Sequence, residues 1–590
     1  MRVLALAGVC LVAITPFFWW NIPSGHDFEF HVFSWMEVLG QWKQGIVYPR
    51  WAALAHWGYG EARFLFYPPA SWTLGAALGA VLPWKIVPAA YCWIVLTLAG
   101  VAMYRLAREW LPAADALFAA VFYALNPYHL LIVYWRSAYA ELLAAALLPL
   151  LLLCLLRLHD VRPDDPRSDD LRPDDPRPDD LRRDDLRRDE PGLRPLLWLS
   201  LTLAAAWLTN IPAALMIHYS TIGLALLLVV TGRATGGGRD QASTEQSSPG
   251  RVWGQRTWRF LIRTAPAVLL GAGLASFYLL PAIYEQRWIE VSQLLSPGVR
   301  PQDNFLFTII ADPDHNRFNF LVSTIALAEI IVLPCVMWLS LRKRRFERHI
   351  FWMPLAVWGT TSALLMLSVS NLLWQHLPKL RFVQLPFRWL LCMNAALAVL
   401  LATATTRWTS RFLVSAGLLA ALLFAGYRFQ LPWWDTAGDV REMSNAISDG
   451  SGYEGTDEYV PQGDDPYELN KDLPRITDAA GTPMQTKILA WRPTEKHFLI
   501  HISEPQTLQL RLFNYPAWQV TVNGRATETE KTPVTGLMVV PVAAGDSDVY
   551  IYFRRTTDRI VGDIVSLISL AVFLVLWVGT QSKNRTGRRI

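Results

Sequence analysis

Residues 2–31, RVLALAGVCLVAITPFFWWNIPSGHDFEFH, run from an apolar stretch into four ionisable side chains, His26, Asp27, Glu29 and His31. The apolar part, near 3–20, is long enough to cross a bilayer. Arg2 in front of it imitates the start of a signal peptide, but the run ends in PFFWW with no small-residue cleavage site, so a retained helix with an aromatic interfacial end is expected. Ionisable residues at membrane depth are costly and usually functional, which marks the group His26–His31 as a candidate site, although a single acidic residue at a membrane edge would read as solvated. On a helix Asp27 and His31 share a face; on a strand Asp27, Glu29 and His31 do. The competing reading is a set of solvated interfacial side chains.

The rest of the chain supports a polytopic membrane protein. Of its 590 residues 53% are hydrophobic and 17% charged, and the apolar residues fall into runs of membrane-spanning length. Spans are expected near 3–20, 87–107, 112–127, 137–157, 194–209, 213–231, 260–283, 320–341, 350–368, 388–405, 411–428 and 559–580. The short apolar stretch 68–84, PPASWTLGAALGAVLPW, reads instead as a helix in the outer interface. Arg2, Arg105, Arg108, Arg157, Arg256, Arg259, Arg342–Arg345, Arg407, Arg411, Arg588 and Arg589 then share one side, which predicts cytoplasmic termini. The net charge of +5 reflects this topology and does not point to nucleic acid. The five cysteines all lie in apolar runs without CxxC spacing, so neither a disulfide framework nor a zinc knuckle is implied.

Two cytoplasmic linkers are expected, 160–193 and 232–257. The first contains six Arg/Asp pentapeptides, RPDDP to RRDEP, at 162–191; it has little to bury and reads as a disordered linker, with a metal site at its paired aspartates as the lesser alternative. The second is rich in Gly and Ser. Between the penultimate and last spans, 429–558 holds the period-two stretches HFLIHI, TLQLRLF, WQVTVNG and VYIYF. With the turn pair Asn523-Gly524, they predict an extracytoplasmic β-sandwich. No catalytic cluster is evident in it.

The order GHDFEFH, YPRW (48–51), FLFYPP (64–69), RSAYAELLAAALLP (136–149), LTNIPAAL (208–215), FYLLPAIYEQ (277–286), LPKLRFVQLPFRW (377–389) and NYPAWQVTVNG (514–524) resembles the GT-C superfamily of integral membrane glycosyltransferases. More narrowly, it is similar to the bacterial membrane family labelled as 6-pyruvoyl-tetrahydropterin-synthase-related. Pterin chemistry itself is not expected: the 11 histidines are scattered and every cysteine lies in a membrane segment. The expected architecture is a GT-C-like transmembrane domain over 1–428, with about twelve helices and an outer loop at 21–86. The C-terminal β-rich domain follows at 429–558, and 559–590 forms a last helix and basic tail.

The resemblance implies transfer of a sugar from a polyprenyl-phosphate carrier to a lipid or glycan acceptor, in the bacterial cytoplasmic (inner) membrane. Asp27 matches the family's first-loop acidic residue and is the expected general base, with Glu29 second. Arg136 and Arg388 are suited to the phosphate, because guanidinium binds it bidentately and keeps its charge when desolvated. His26, His31, Arg50 and Gln384 join the expected substrate-binding set. Glu141 either neutralises an arginine or orients acceptor or metal. Asp27, Glu29 and His31 offer donors of the type that bind Mg²⁺ or Mn²⁺. The alternatives are a transporter or flippase and a non-catalytic scaffold for envelope assembly. Against transport, the ionisable residues gather at helix ends instead of the bilayer midplane, and no repeat relates the two halves.

Overall fold

The computed structural model describes residues 1–159, 193–236, 249–342 and 349–586. Among these, eight helices are long and apolar enough to cross a membrane: Val87–Ala107, Ala113–Arg136, Tyr139–His159, Ile211–Val230, Pro313–Arg342, Pro386–Ala404, Trp408–Phe429 and Thr557–Gln581. Two bent pairs bring the number to ten if each counts as one span, namely Arg263–Leu274 with Ser276–Trp288 (74°) and Trp352–Leu365 with Ser368–His376 (94°). Arg2–Ala13 and Leu193–Thr209 are shorter apolar helices. The chain is a multi-pass membrane protein.

Several expected boundaries need correction. The first segment does not run unbroken over 3–20: it stops at Ala13 and resumes as Pro16–Trp19, since Pro16 cannot donate to an earlier carbonyl. The span expected at 112–127 extends to Arg136 through a π-helical turn, Ile132–Arg136. Segment 68–84 contains only the 11-residue helix Pro69–Gly79, too short to cross, as its reading required. Linker 160–193 falls outside the described residues except for residue 193. The ends of the expected linker 232–257 are helical, within Ile211–Gly236 and Pro249–Leu274.

At the centre of the bundle, every residue from Leu390 to Ala404 is buried. A helix apolar on all sides belongs inside a larger assembly, and the alanines of this one let its neighbours approach closely. Arg388 stands at its start, in the 3₁₀ turn Pro386–Trp389, and is fixed by the most enclosed element of the fold.

On one side of the bundle the strands form two packed sheets. One has the order β3(Ile476–Thr477), β6(Gln506–Phe513), β10(Leu537–Val542), β9(Glu530–Lys531). The other has the order β4(Thr486–Arg492), β5(Glu495–Ile502), β11(Gly545–Phe553), β7(Trp518–Val522), β8(Arg525–Thr527). Alternate residues such as Phe498, Ile500, Leu508, Leu510, Val549 and Ile551 fill the space between them. Asn523 and Gly524, at φ 51° and 75°, make the β7–β8 turn, where both central residues of a type I′ turn need positive φ. This core is completed by Trp51, Tyr59, Leu65 and Phe66 from the first loop, so loop and sandwich form one packed body. A short pairing of β1(Ile22–Pro23) with β2(Trp434–Asp435) ties the start of the loop to the start of the β-domain.

Candidate active site

The segment after the first helix is held by backbone contacts. Gly25 sits against the main chain of Trp135 and Arg136, where an added Cβ would lie 2.3 Å from the Trp135 carbonyl oxygen. Only glycine fits there. Its N–H donates to Ser137 Oγ at 2.9 Å, Ser137 Oγ donates to the Pro23 carbonyl at 3.1 Å, and the Asp27 N–H donates to the Arg136 carbonyl at 2.9 Å. Ser137 has φ 50°, which ends the π-helical turn and re-aims the chain into the helix Tyr139–Ala145. Asp27 is thereby fixed beside Arg136.

Asp27 is the N-cap residue of the helix Phe28–Lys43, yet its carboxylate makes no capping hydrogen bond. It points to the Arg136 guanidinium, with Oδ2 at 3.7 Å from Nη2, and remains 40% exposed while Arg136 is buried. Behind it, Glu141 receives three donors: Arg136 Nη1 at 2.5 Å, Arg388 Nε at 3.1 Å and the Tyr128 hydroxyl at 2.5 Å. Arg388 Nη1 also donates to Gln384 Oε1 at 3.1 Å and to the Val383 carbonyl at 2.7 Å. Two guanidiniums therefore share one buried carboxylate. The surplus positive charge faces the accessible carboxylate of Asp27. This arrangement can hold an anionic group against the arginines while a base stands at its edge.

The other expected residues lie elsewhere. Glu29 is exposed in the first turn of the same helix; partial burial, Asp435 and Glu454 push its pKa up. His26 is exposed, with its ring edge-on to Phe318 and Trp433. His31 is buried among Phe30, Trp35, Tyr67 and Tyr139, and burial lowers its pKa to about 4 despite nearby Asp27. Arg50 lies away from this cluster, over the Tyr48 ring. The expected donor set Asp27, Glu29 and His31 is not assembled: among the described residues no group of three His, Cys, Asp or Glu is placed to hold a metal ion. The spacing in sequence is compatible with such a site, but the helix sends Glu29 outward and His31 into the aromatic core.

Two contributors were missed from sequence. Tyr128 belongs to the helix Pro127–Leu131, which Asn126 caps by accepting the His129 N–H at 3.0 Å. Tyr67, from FLFYPP, lies close enough to feel the charges of Asp27, Arg388 and Glu141. Neither tyrosine carries a local sequence signal beyond the aromatic richness of its segment.

Fold and charged cluster together define a multi-pass helical membrane protein with an ionic site at the face that carries a β-sandwich. No family model matches the chain, and no curated protein matches it. The narrower pterin-synthase-related family assignment thus gains no support. Solved structures similar to the chain include the archaeal oligosaccharyltransferase AglB from Archaeoglobus fulgidus in complex with an inhibitory peptide and a dolichol-phosphate. It is 13% identical, over 77% of this chain and 56% of that one, with a TM-score of 0.39. The arabinofuranosyltransferase AftD from Mycobacteria is 14% identical over 76% of this chain and 27% of that one, with a TM-score of 0.37. ArnT from Cupriavidus metallidurans, bound to undecaprenyl phosphate, is 13% identical over 76% of this chain and 75% of that one, with a TM-score of 0.36. The chain thus spans little more than half the length of AglB and about a quarter of AftD.

Proposed function

We propose that the protein is a GT-C-like glycosyltransferase that moves a sugar from a polyprenyl-phosphate carrier to a lipid or glycan acceptor at the β-domain face of the membrane. The observation that carries this reading is the accessible Asp27 carboxylate, unspent on helix capping, beside the buried Arg136–Glu141–Arg388 group. In the reaction the acceptor hydroxyl oxygen bonds to the anomeric carbon of the donor sugar, and the bond from that carbon to the carrier phosphate breaks. Asp27 takes the hydroxyl proton. The phosphate leaves with the bonding electrons and gains negative charge, which Arg136 and Arg388 stabilise. Glu141 and Gln384 are positioning residues that keep the two guanidiniums in place. The Lys and Arg residues on one side of the spans support cytoplasmic termini and an outward-facing site.

The test is transfer of radiolabelled sugar from a panel of polyprenyl-phosphate donors by the protein in lipid, comparing wild type with Asp27→Asn. Transfer by the wild type and its loss in a folded Asp27→Asn protein is the expected result. Equal transfer by both, or none by the wild type across the panel, overturns the reading.

A further inference from the structure

A second cationic site lies on the flank of the molecule, where the last span meets the β-domain. A cavity of about 680 Å³ is lined at its upper end by Arg50, Arg554, Arg555 and Arg559, and lower down by Leu274, Phe277, Leu567 and Leu570. Two of the arginines are committed. Arg559 donates to both oxygens of buried Glu285, at 2.7 and 2.8 Å, and Arg555 pairs with Asp563. Arg50 and Arg554 have no carboxylate within ion-pair distance among the described residues; Asp563, which lines the same cavity, and Glu285 act on Arg50 from farther off, and four arginines against these two carboxylates leave the upper end net positive. Arg50 is half-buried, stacked on Tyr48 with its guanidinium carbon 4.4 Å from the ring centre. Its Nη1 lies 3.5 Å from the Phe277 carbonyl, which Pro281, four residues on, cannot satisfy from within the helix.

The shape of the cavity distinguishes kinds of ligand. The span Thr557–Gln581 is little covered by protein, so its flank faces lipid. Leu570 lies eleven residues below Arg559, about 16 Å along the helix. A cationic head over an apolar wall of that depth suits an amphiphile: phosphate above, hydrocarbon chain below. Ser566 lies between the two zones, where its hydroxyl accepts the Phe277 N–H at 2.8 Å at the bend of the neighbouring span. The cavity's lining shares no residue with the Asp27, Arg136, Glu141 and Arg388 cluster. The buried Tyr278 hydroxyl donates to the Phe66 carbonyl at 2.5 Å, and Phe66 precedes the Tyr67 that borders the candidate active site.

We propose that this cavity binds the phosphate headgroup of a membrane lipid from the β-domain side, through Arg50 and Arg554, separately from the Asp27 site. The test titrates the full-length protein in micelles with phosphatidylglycerol, a polyprenyl phosphate, phosphatidylcholine and inorganic phosphate, reading bound lipid by native mass spectrometry. Because the readout is binding, it does not depend on the transfer reaction. At least one of the two anionic lipids is expected to bind about tenfold or more tightly than phosphatidylcholine, whose choline cation opposes the arginines. Which of the two it is separates a bilayer phospholipid from a carrier lipid. Arg50→Gln with Arg554→Gln should weaken that binding by about tenfold or more, and exposed Arg554→Gln alone by a smaller factor with the fold kept. Equal binding by wild type and the folded variants overturns the proposal, as does equal affinity for phosphatidylcholine. Inorganic phosphate binding as tightly as the lipids would reduce the site to an anion pocket and overturn its lipid assignment.

Discussion

Two ionic networks flank the first loop, and they differ in one respect. Around Glu61, the charged partners are enclosed: Glu61 meets buried Arg63 Nε at 2.5 Å and buried His56 Nε2 at 3.0 Å, and accepts the N–H of half-buried Thr456 at 2.7 Å. Arg63 goes on to Ser34 and Thr456, while Glu37 takes the Tyr453 hydroxyl at 2.6 Å. Burial alone would raise Glu61, but Arg63 and His56 beside it hold its pKa down to about 2. This network closes on itself and clamps the helix Phe28–Lys43 to the start of the β-domain. Around Glu141 the interior is equally buried, yet its outermost carboxylate, Asp27, is accessible and stands 3.7 Å from its arginine. A closed network serves as a clamp; one with an open edge has a group left to act on something else.

The largest effect that can break this comparison is on transfer. Asp27→Asn should lower the rate by about 10²–10⁴-fold, the range for a lost general base, without changing the unfolding transition. A large loss of stability instead would make Asp27 a second clamp. Next, Glu61→Gln should cost about 3–5 kcal/mol in denaturant unfolding, because it leaves buried Arg63 without its counter-charge. The wild-type contribution of Glu61 is fully present above pH 4.5, its ordinary value, and is lost as pH falls toward about 2. Retained stability in the variant would remove the clamp.

His31 gives a smaller, pH-dependent effect. Burial lowers its folded pKa from 6.5 to about 4, so the unfolded chain takes up the proton first. Its contribution is complete above pH 6.5 and declines as pH falls to about 4, by about 3 kcal/mol in all. His31→Phe should flatten the stability profile across that window; an unchanged slope would show that the ring is not held neutral. The smallest effect expected is that of EDTA on transfer, since the arginines supply the positive charge. A loss on chelation that Mg²⁺ restores would bring a cation to Asp27 and redraw the open edge.

The sequence by itself determined the membrane class and the β-sandwich, and it marked His26–His31 as a candidate site. Those features rest on local signals: apolar run length, period-two alternation, the Asn523-Gly524 turn, and charge at a membrane edge. It also suggested Asp27, Arg136, Glu141 and Arg388 as a set through motif order. What only the tertiary structure decided is how the side chains divide among sites. Glu141 and Arg388 are 247 residues apart and meet because the central helix Pro386–Ala404 is buried on all sides. Arg50, 23 residues beyond Asp27 in the same loop, is carried instead to the flank of the last span. His31, one turn from Asp27, is rotated into aromatic packing. Helical periodicity limits which residues share a face, but the partner that face meets is set by long-range packing, which no local window of sequence contains.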